Sequence, residues 1–122
     1  MVNILVLTKQ VGQTPLQVIK DYKVKYPNYK NVPMTYAGRL DPMAEGLLLI
    51  LAGEECKKKE EYLKLEKSYE ATILLGASTD SLDLLGIPVI DKKAIELNQE
   101  QLSDLIKSLE GSHLLPIPLY SS

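Results

Sequence analysis

The chain has 122 residues, 45% of them hydrophobic and 25% charged, a balance typical of one ordinary soluble domain that excludes fibrous, collagen-like and low-complexity proteins. The longest apolar run, residues 47–52, is far shorter than the roughly 20 residues that span a bilayer, and no signal segment opens the chain, so we expect a cytoplasmic protein without membrane contact. A single cysteine, Cys56, and a single histidine, His113, allow neither an internal disulfide nor a Cys/His metal site.

Charge is distributed unevenly along the chain. Residues 1–67 carry 11 basic and 8 acidic side chains, whereas residues 68–122 carry 3 basic and 8 acidic ones. The first part is therefore the candidate surface for a polyanion such as RNA. The alternative is that its lysines are merely solvated helix faces, which the net charge of −2 favours because nucleic-acid-binding domains are usually basic.

Two helices are predicted from their start signals. Residues 15–25 have apolar positions at helical spacing, with Thr14 as the N-cap and Gln17 placed to close a capping box. A second cap with a glutamine three positions later, residues 98–101, precedes an amphipathic stretch that ends at Gly111.

Short apolar, partly β-branched runs predict strands at four places along the chain: residues 4–7, 47–51, 69–75 and 89–90. The highly charged residues 54–63 are predicted to be helical. Residues 35–45 contain glycine and proline around charged side chains and are predicted to form a loop. Such loops carry functional sites more often than cores do.

The predicted loop holds the first candidate for chemistry, Asp41, two positions after Arg39. A carboxylate beside a guanidinium stays ionised and can serve as a nucleophile or a base. It can equally accept a backbone N–H and shape the loop as an Asx-turn. Asp80 and Asp83 have no basic neighbour in sequence, which favours turn and capping roles for them.

Residues 38–48, GRLDPMAEGLL, resemble the motif G-x-L-D-P-x-A-x-G-x-L of the TruB family of tRNA pseudouridine synthases, whose Asp is catalytic. Four further segments resemble family motifs in the same order. Residues 9–14 (KQVGQT) are similar to K-P-x-G-x-T, and residues 67–71 (KSYEA) to K-x-Y-x-A. Residues 75–86 (LGASTDSLDLLG) are similar to L-G-x-x-T-D-T-x-D-x-x-G, and residues 118–122 (PLYSS) to P-x-Y-S-A.

The chain departs from the family pattern at Tyr36, where bacterial members usually have a histidine that contacts the substrate backbone. A phenol still donates a hydrogen bond. Arg39 and residues 45–49 also resemble the G-R-L-D…G-L-L-L signature of the small-subunit rRNA pseudouridine synthases, a sister family with the same chemistry. Residues 67–86 favour TruB.

The resemblance implies an α+β fold, half of a mixed, mostly antiparallel pseudouridine-synthase sheet with flanking helices. Residues 1–122 then form the N-terminal part of the catalytic domain, because P-x-Y-S-A lies near the middle of that domain. A C-terminal half, with the arginine that pairs with the catalytic Asp, would be a missing partner. The C-terminal RNA-binding domain of the family is likewise not expected in this chain.

The resemblance makes Asp41 the catalytic residue of a reaction that needs no cofactor and no metal. Five other side chains are implied to bind substrate or to hold the loop beside it: Lys9, Tyr36, Arg39, Lys67 and Tyr69. Tyr69 would receive the flipped base on its ring, and Lys9 and Lys67 would hold the loop geometry or contact phosphates.

The leading hypothesis is a tRNA pseudouridine synthase that isomerises a T-loop uridine in the T-arm. The small-subunit rRNA is the alternative substrate. A catalytically silent RNA-binding fragment is an alternative of another class, consistent with the acidic net charge.

Overall fold

The computed structural model describes residues 1–91, 93 and 96–117. The chain divides into two compact units, Met1–Tyr69 and Glu70–Ser122. Every candidate site residue lies in the first unit. The motif predicted at residues 118–122 lies outside the described residues.

The first unit is built on a three-stranded antiparallel sheet. Its strands are β1 (Ile4–Lys9), β2 (Met34–Ala37) and β3 (Gly46–Ala52), in the order β1-β3-β2. The predictions of a first strand and of an apolar strand after the loop are confirmed. The prediction that residues 35–45 are entirely loop is wrong at its start, because residues 34–37 pair with β3 as an edge strand.

One helix, α1 (Pro15–Lys25), covers one face of this sheet, as predicted. Its Val18 and Ile19 are buried against Leu48 and Ile50 of β3. Burial of these apolar side chains is the main stabilising contribution of the unit.

The start of α1 differs from the prediction in one detail. Thr14 is the N-cap, and its hydroxyl accepts a hydrogen bond from the Gln17 backbone N–H at 3.1 Å. The predicted capping box is wrong, because the Gln17 side chain does not accept the Thr14 backbone N–H. Its amide group donates to the Asp21 carboxylate one turn further on at 2.8 Å, a charge-assisted contact that orients the side chain along the helix and away from the cap.

The segment predicted as one helix over residues 54–63 is two elements. Gly53–Lys58 forms a 3₁₀ helix, and α2 (Lys59–Leu63) is a short α-helix. In a 3₁₀ helix side chains three positions apart are eclipsed. This spacing brings Lys57 onto Glu54 and Lys58 onto Glu55 as ion pairs.

The second unit contains a two-stranded antiparallel hairpin and one helix among its described residues. The hairpin pairs β4 (Ala77–Thr79) with β5 (Pro88–Ile90), and the helix is α3 (Gln99–Ser108). The prediction for α3 is confirmed, including a capping box in which Asn98 and Gln101 each accept a backbone hydrogen bond from the other.

The predicted strand over residues 69–75 is wrong. The segment is rich in apolar and β-branched side chains, but it is irregular, and the strand begins at Ala77 instead. A strand is stabilised by the neighbour with which it pairs, and none of the described strands pairs with this segment. Ile73 and Leu74 are each 75% exposed, so the apolar side chains of this segment are not buried on either face.

The predicted fold class, α+β with antiparallel sheets, is confirmed. None of the helices in the described part of the chain is long and apolar enough to cross a membrane.

Candidate active site

The candidate site is the loop between β2 and β3, residues 38–45. Glycine lies at both of its ends: Gly38 has φ +94° and Gly46 has φ +142°. Residues with a Cβ rarely adopt these backbone angles, so glycine at these positions allows the chain to turn sharply as it leaves β2 and enters β3. The loop therefore projects from one end of the sheet.

The loop is anchored from below by Lys9, the last residue of β1. Lys9 is completely buried, and its ammonium donates to the carbonyls of Gln10 (3.2 Å), Pro42 (3.2 Å) and Ala44 (2.6 Å). The Gly12 N–H donates to the same Pro42 carbonyl at 2.7 Å. Of the two roles left open for Lys9, the geometry favours holding the loop, because a buried ammonium is out of reach of an RNA phosphate.

Asp41 is exposed at the top of this loop. Its main-chain carbonyl accepts the Ala44 N–H at 3.0 Å, which closes the turn. In the described part of the chain no hydrogen bond or ion pair reaches its carboxylate. The Asx-turn alternative requires a backbone N–H on that carboxylate, so the geometry favours a side chain available for chemistry.

Arg39 does not pair with Asp41, although it is two residues away. The two ion pairs found among the described residues both lie in the segment 54–58. Arg39 is exposed and instead lines a cavity of about 220 Å³ beside the loop. The rest of the wall consists of residues 13–16 at the start of α1, Tyr36 of β2, and Leu40 and Pro42 of the loop.

Tyr36 lies half-buried on the face of the sheet that packs against α1, next to the buried core. The ammonium of Lys59, the first residue of α2, lies over its ring at 5.1 Å from the centroid. Lys59 was not among the side chains predicted from the sequence. No motif marks it, because the contact depends on packing α2 beside β2.

Lys67 and Tyr69 follow α2 and differ in their relation to the loop. The Lys67 ammonium donates to the carbonyls of Leu63 and Leu65, each at 2.9 Å. Its side chain lies next to the loop, since a Cβ at Gly38 would be 3.5 Å from the Lys67 Cε. Tyr69 is 71% exposed, and none of the described hydrogen bonds or ring contacts joins it to the loop.

Asp80 and Asp83 act as predicted, as turn-forming residues of the β4–β5 connection. An Asp80 carboxylate oxygen accepts the Ile87 N–H at 2.8 Å, and an Asp83 oxygen accepts the Leu85 N–H at 2.9 Å. No group of three or more His, Cys, Asp or Glu side chains within residues 1–91, 93 and 96–117 could hold a metal ion.

A match to a known protein family covers the candidate loop. The TruB family pseudouridylate synthase N-terminal domain matches residues 27–122, which include the whole of the candidate loop. The chain belongs to the TruB family of pseudouridine synthases. The resemblance drawn from residues 38–48 is thereby confirmed.

Several proteins named tRNA pseudouridine synthase B are similar to almost the whole chain. The one from Endomicrobium trichonymphae is 34% identical over 121 residues, 98% of this chain and 51% of that protein. The protein from Caldicellulosiruptor saccharolyticus is 34% identical over 120 residues, which are 98% of this chain and 40% of that protein. The protein from Psychrobacter arcticus is 35% identical over 124 aligned positions, which cover 98% of this chain and 32% of that protein. The chain spans about half or less of the length of these curated relatives.

The anchoring role of Lys9 predicts a loss of stability in Lys9→Met. The Pro42 and Gln10 carbonyls keep the N–H groups of Gly12 and Gln13, but the Ala44 carbonyl loses its donor. An unsatisfied acceptor that is fully buried costs about 1 to 3 kcal/mol, and because this bond is part-buried we expect a loss of about 1 kcal/mol. Urea unfolding of the chain should show this loss.

The matched control for that measurement is Lys30→Met. Lys30 is exposed, and its side chain makes no hydrogen bond or ion pair with the described residues. Its replacement should change the free energy of unfolding by less than about 0.5 kcal/mol. Equal stability of the two variants would show that Lys9 does not hold the loop.

Proposed function

We propose that the protein is a tRNA pseudouridine synthase that isomerises a T-loop uridine, with Asp41 as its catalytic residue and without a cofactor. The observation that carries the proposal is the Asp41 carboxylate, unpaired among the described residues, on a loop anchored by a buried lysine, in a chain of the TruB family. The named relatives support tRNA over the small-subunit rRNA, since each is called tRNA pseudouridine synthase B.

The reaction breaks the bond between ribose C1′ and uracil N1, turns the base over and joins C1′ to C5. The C5 proton leaves to solvent and N1 gains a proton, so atoms balance without an oxidant or a reductant. One ionised carboxylate can act as nucleophile at C1′, as nucleophile on the base, or as acceptor of the ribose proton. We assign this carboxylate to Asp41.

A carboxylate in a site closed by RNA needs a cation to remain ionised, because desolvation raises its pKa and an adjacent positive charge lowers it. The described residues place no cation within ion-pairing distance of Asp41. The match to the N-terminal domain of the family and the partial coverage of its relatives support assigning the chain to the N-terminal part of a catalytic domain, whose remaining part would supply that cation. The lack of a cation beside Asp41 among the described residues favours the silent RNA-binding alternative for the chain taken alone.

The remaining site residues are assigned to substrate binding and positioning. The exposed ring of Tyr69 is available to stack on the flipped uracil. Arg39, Tyr36 and Lys67 lie around the loop and are assigned to the RNA backbone, where phosphate contacts supply most of the affinity. Lys9 is assigned to positioning the loop.

Asp41→Asn keeps the side-chain volume and removes the charge. Turnover should fall by at least about a thousandfold, as expected when the reacting group itself is lost. The measurement is tritium release from 5-tritiated uridine in tRNA, by a chimera in which this chain replaces the matching part of the Endomicrobium trichonymphae relative. Glu45→Gln, an exposed carboxylate of the same loop, is the control and should retain turnover. Normal turnover in Asp41→Asn would refute the assignment.

Tyr69→Leu should lower the turnover of the same chimera more than it lowers tRNA binding. Stacking of a base on an aromatic ring contributes about 1 to 3 kcal/mol, whereas overall affinity depends mainly on phosphates that this ring does not touch. Tyr69→Phe keeps the ring and should retain most of the activity. Equal losses in both variants, or unchanged kinetics in Tyr69→Leu, would exclude a stacking role.

The isolated 122-residue chain should release no tritium above background from a T-arm RNA, because its described residues supply no cation to Asp41. Addition of the complementary C-terminal part of the Endomicrobium trichonymphae relative should restore activity. Multiple turnover by the purified monomeric chain would contradict this expectation and would make Arg39→Gln the next variant to measure.

A further inference from the structure

Three consecutive lysines, residues 57–59, differ in whether their charge is already paired. Lys57 pairs with Glu54, and Lys58 pairs with Glu55 at 2.8 Å. The Glu55 partner raises the pKa of Lys58, and Lys58 together with the Tyr62 hydroxyl lowers the pKa of Glu55. Lys59 has neither a carboxylate nor a carbonyl within hydrogen-bonding distance among the described residues.

Lys59 is instead positioned by an aromatic ring. Its ammonium lies 5.1 Å from the centroid of the Tyr36 ring. A cation over an aromatic face is held electrostatically by the ring quadrupole, and this contact leaves its three N–H donors available. Tyr36 is in turn fixed by pairing opposite Ile50 in the sheet and by packing beside the core. Lys59 is thus a positioned cation that retains its hydrogen-bonding capacity.

Tyr36 also lines the cavity beside the loop of residues 38–45, which is the catalytic loop of the proposed function. Arg39 forms another part of the wall, and the wall contains no aspartate or glutamate. The cavity therefore has one cation in its wall and a second one on the ring of Tyr36. The unpaired guanidinium of Arg39 in this wall and the unpaired ammonium of Lys59 on the ring of a wall residue together favour an anionic ligand such as a phosphate group.

We propose that Lys59, held over the ring of Tyr36, contacts a backbone phosphate of the RNA where it passes the catalytic loop. The proposal rests on the proposed function for the identity of the RNA. It adds a binding residue outside the family motifs, and it assigns a second role to Tyr36, that of placing the Lys59 ammonium.

The test is the salt dependence of RNA binding by the full chain. The dissociation constant of a fluorescent T-arm stem–loop is measured between 50 and 200 mM KCl for wild type, Lys59→Gln and Lys58→Gln. Over this salt range, the affinity of a protein that makes several phosphate contacts falls by about three orders of magnitude or more. Loss of one phosphate contact should reduce the slope of log K against log salt by about 0.7 to 0.9. Lys59→Gln should show this reduction and bind severalfold more weakly at 50 mM KCl. Lys58→Gln removes the same charge from an already paired lysine and should keep the wild-type slope.

Two further variants test the role of the ring. Tyr36→Phe keeps the aromatic face and should preserve the effect of Lys59→Gln on the slope. In Tyr36→Leu the cation loses its support, so adding Lys59→Gln should change the slope less than it does in wild type. Lys59→Arg keeps the charge and the affinity for an aromatic face, and should restore the wild-type slope.

Each result supports or overturns the inference. A wild-type slope in Lys59→Gln overturns it, as does a lowered urea midpoint without a change of slope, which would make the ring contact purely structural. Absence of RNA binding by the wild-type chain overturns it as well. Failure of the proposed function has a different signature: Asp41→Asn in the chimera would keep turnover, whatever the salt slopes show.

Discussion

The hydrogen bonds from the buried Lys9 ammonium to backbone carbonyls hold the candidate active site together. The loop over residues 38–45 has no regular secondary structure, so its carbonyls have no ladder partners. The Lys9 ammonium at the end of β1 donates to two carbonyls of this loop, Pro42 and Ala44, and to that of Gln10, and the full positive charge strengthens these bonds. Asp41 can then be exposed on a defined loop without using its own carboxylate to shape the turn.

The sheet register makes this arrangement possible. β1 and β3 are antiparallel, with Lys9 opposite Gly46, so the end of one strand lies at the start of the other. The loop that precedes Gly46 must therefore pass over Lys9. β2 pairs with the other side of β3, and Tyr36 lies opposite Ile50. The strand pairings thus place the anchor below the loop at the start of β3, and the shared cavity wall brings Tyr36 next to the same loop.

In the first unit, the environment of each lysine depends on its local partners and not on the total number of basic residues. Lysines that belong to one sequence run have different environments: Lys57 and Lys58 are compensated by glutamates, whereas Lys59 lies on an aromatic ring. Lys9 is a positive charge that the sequence count includes but that RNA cannot reach. The excess of basic residues in the first part of the chain therefore says little about which of them bind substrate.

Local signals were sufficient for those features that depend on a few neighbouring residues. The cap of α1 at Thr14 and the capping box of α3 are set within one turn of chain, and the turn roles of Asp80 and Asp83 within seven residues. The motif around Asp41 identified the family. Features that depend on a distant partner were decided by tertiary structure. None of the described strands pairs with the segment 69–75, and the side-chain amide of Gln17 has a charged acceptor one turn away. Lys9 and Lys59 have their roles only because the sheet and α2 bring carbonyls and a ring to them. Sequence determines local backbone preference and motif chemistry, whereas hydrogen-bond partners and burial between distant residues are created only when the chain is folded.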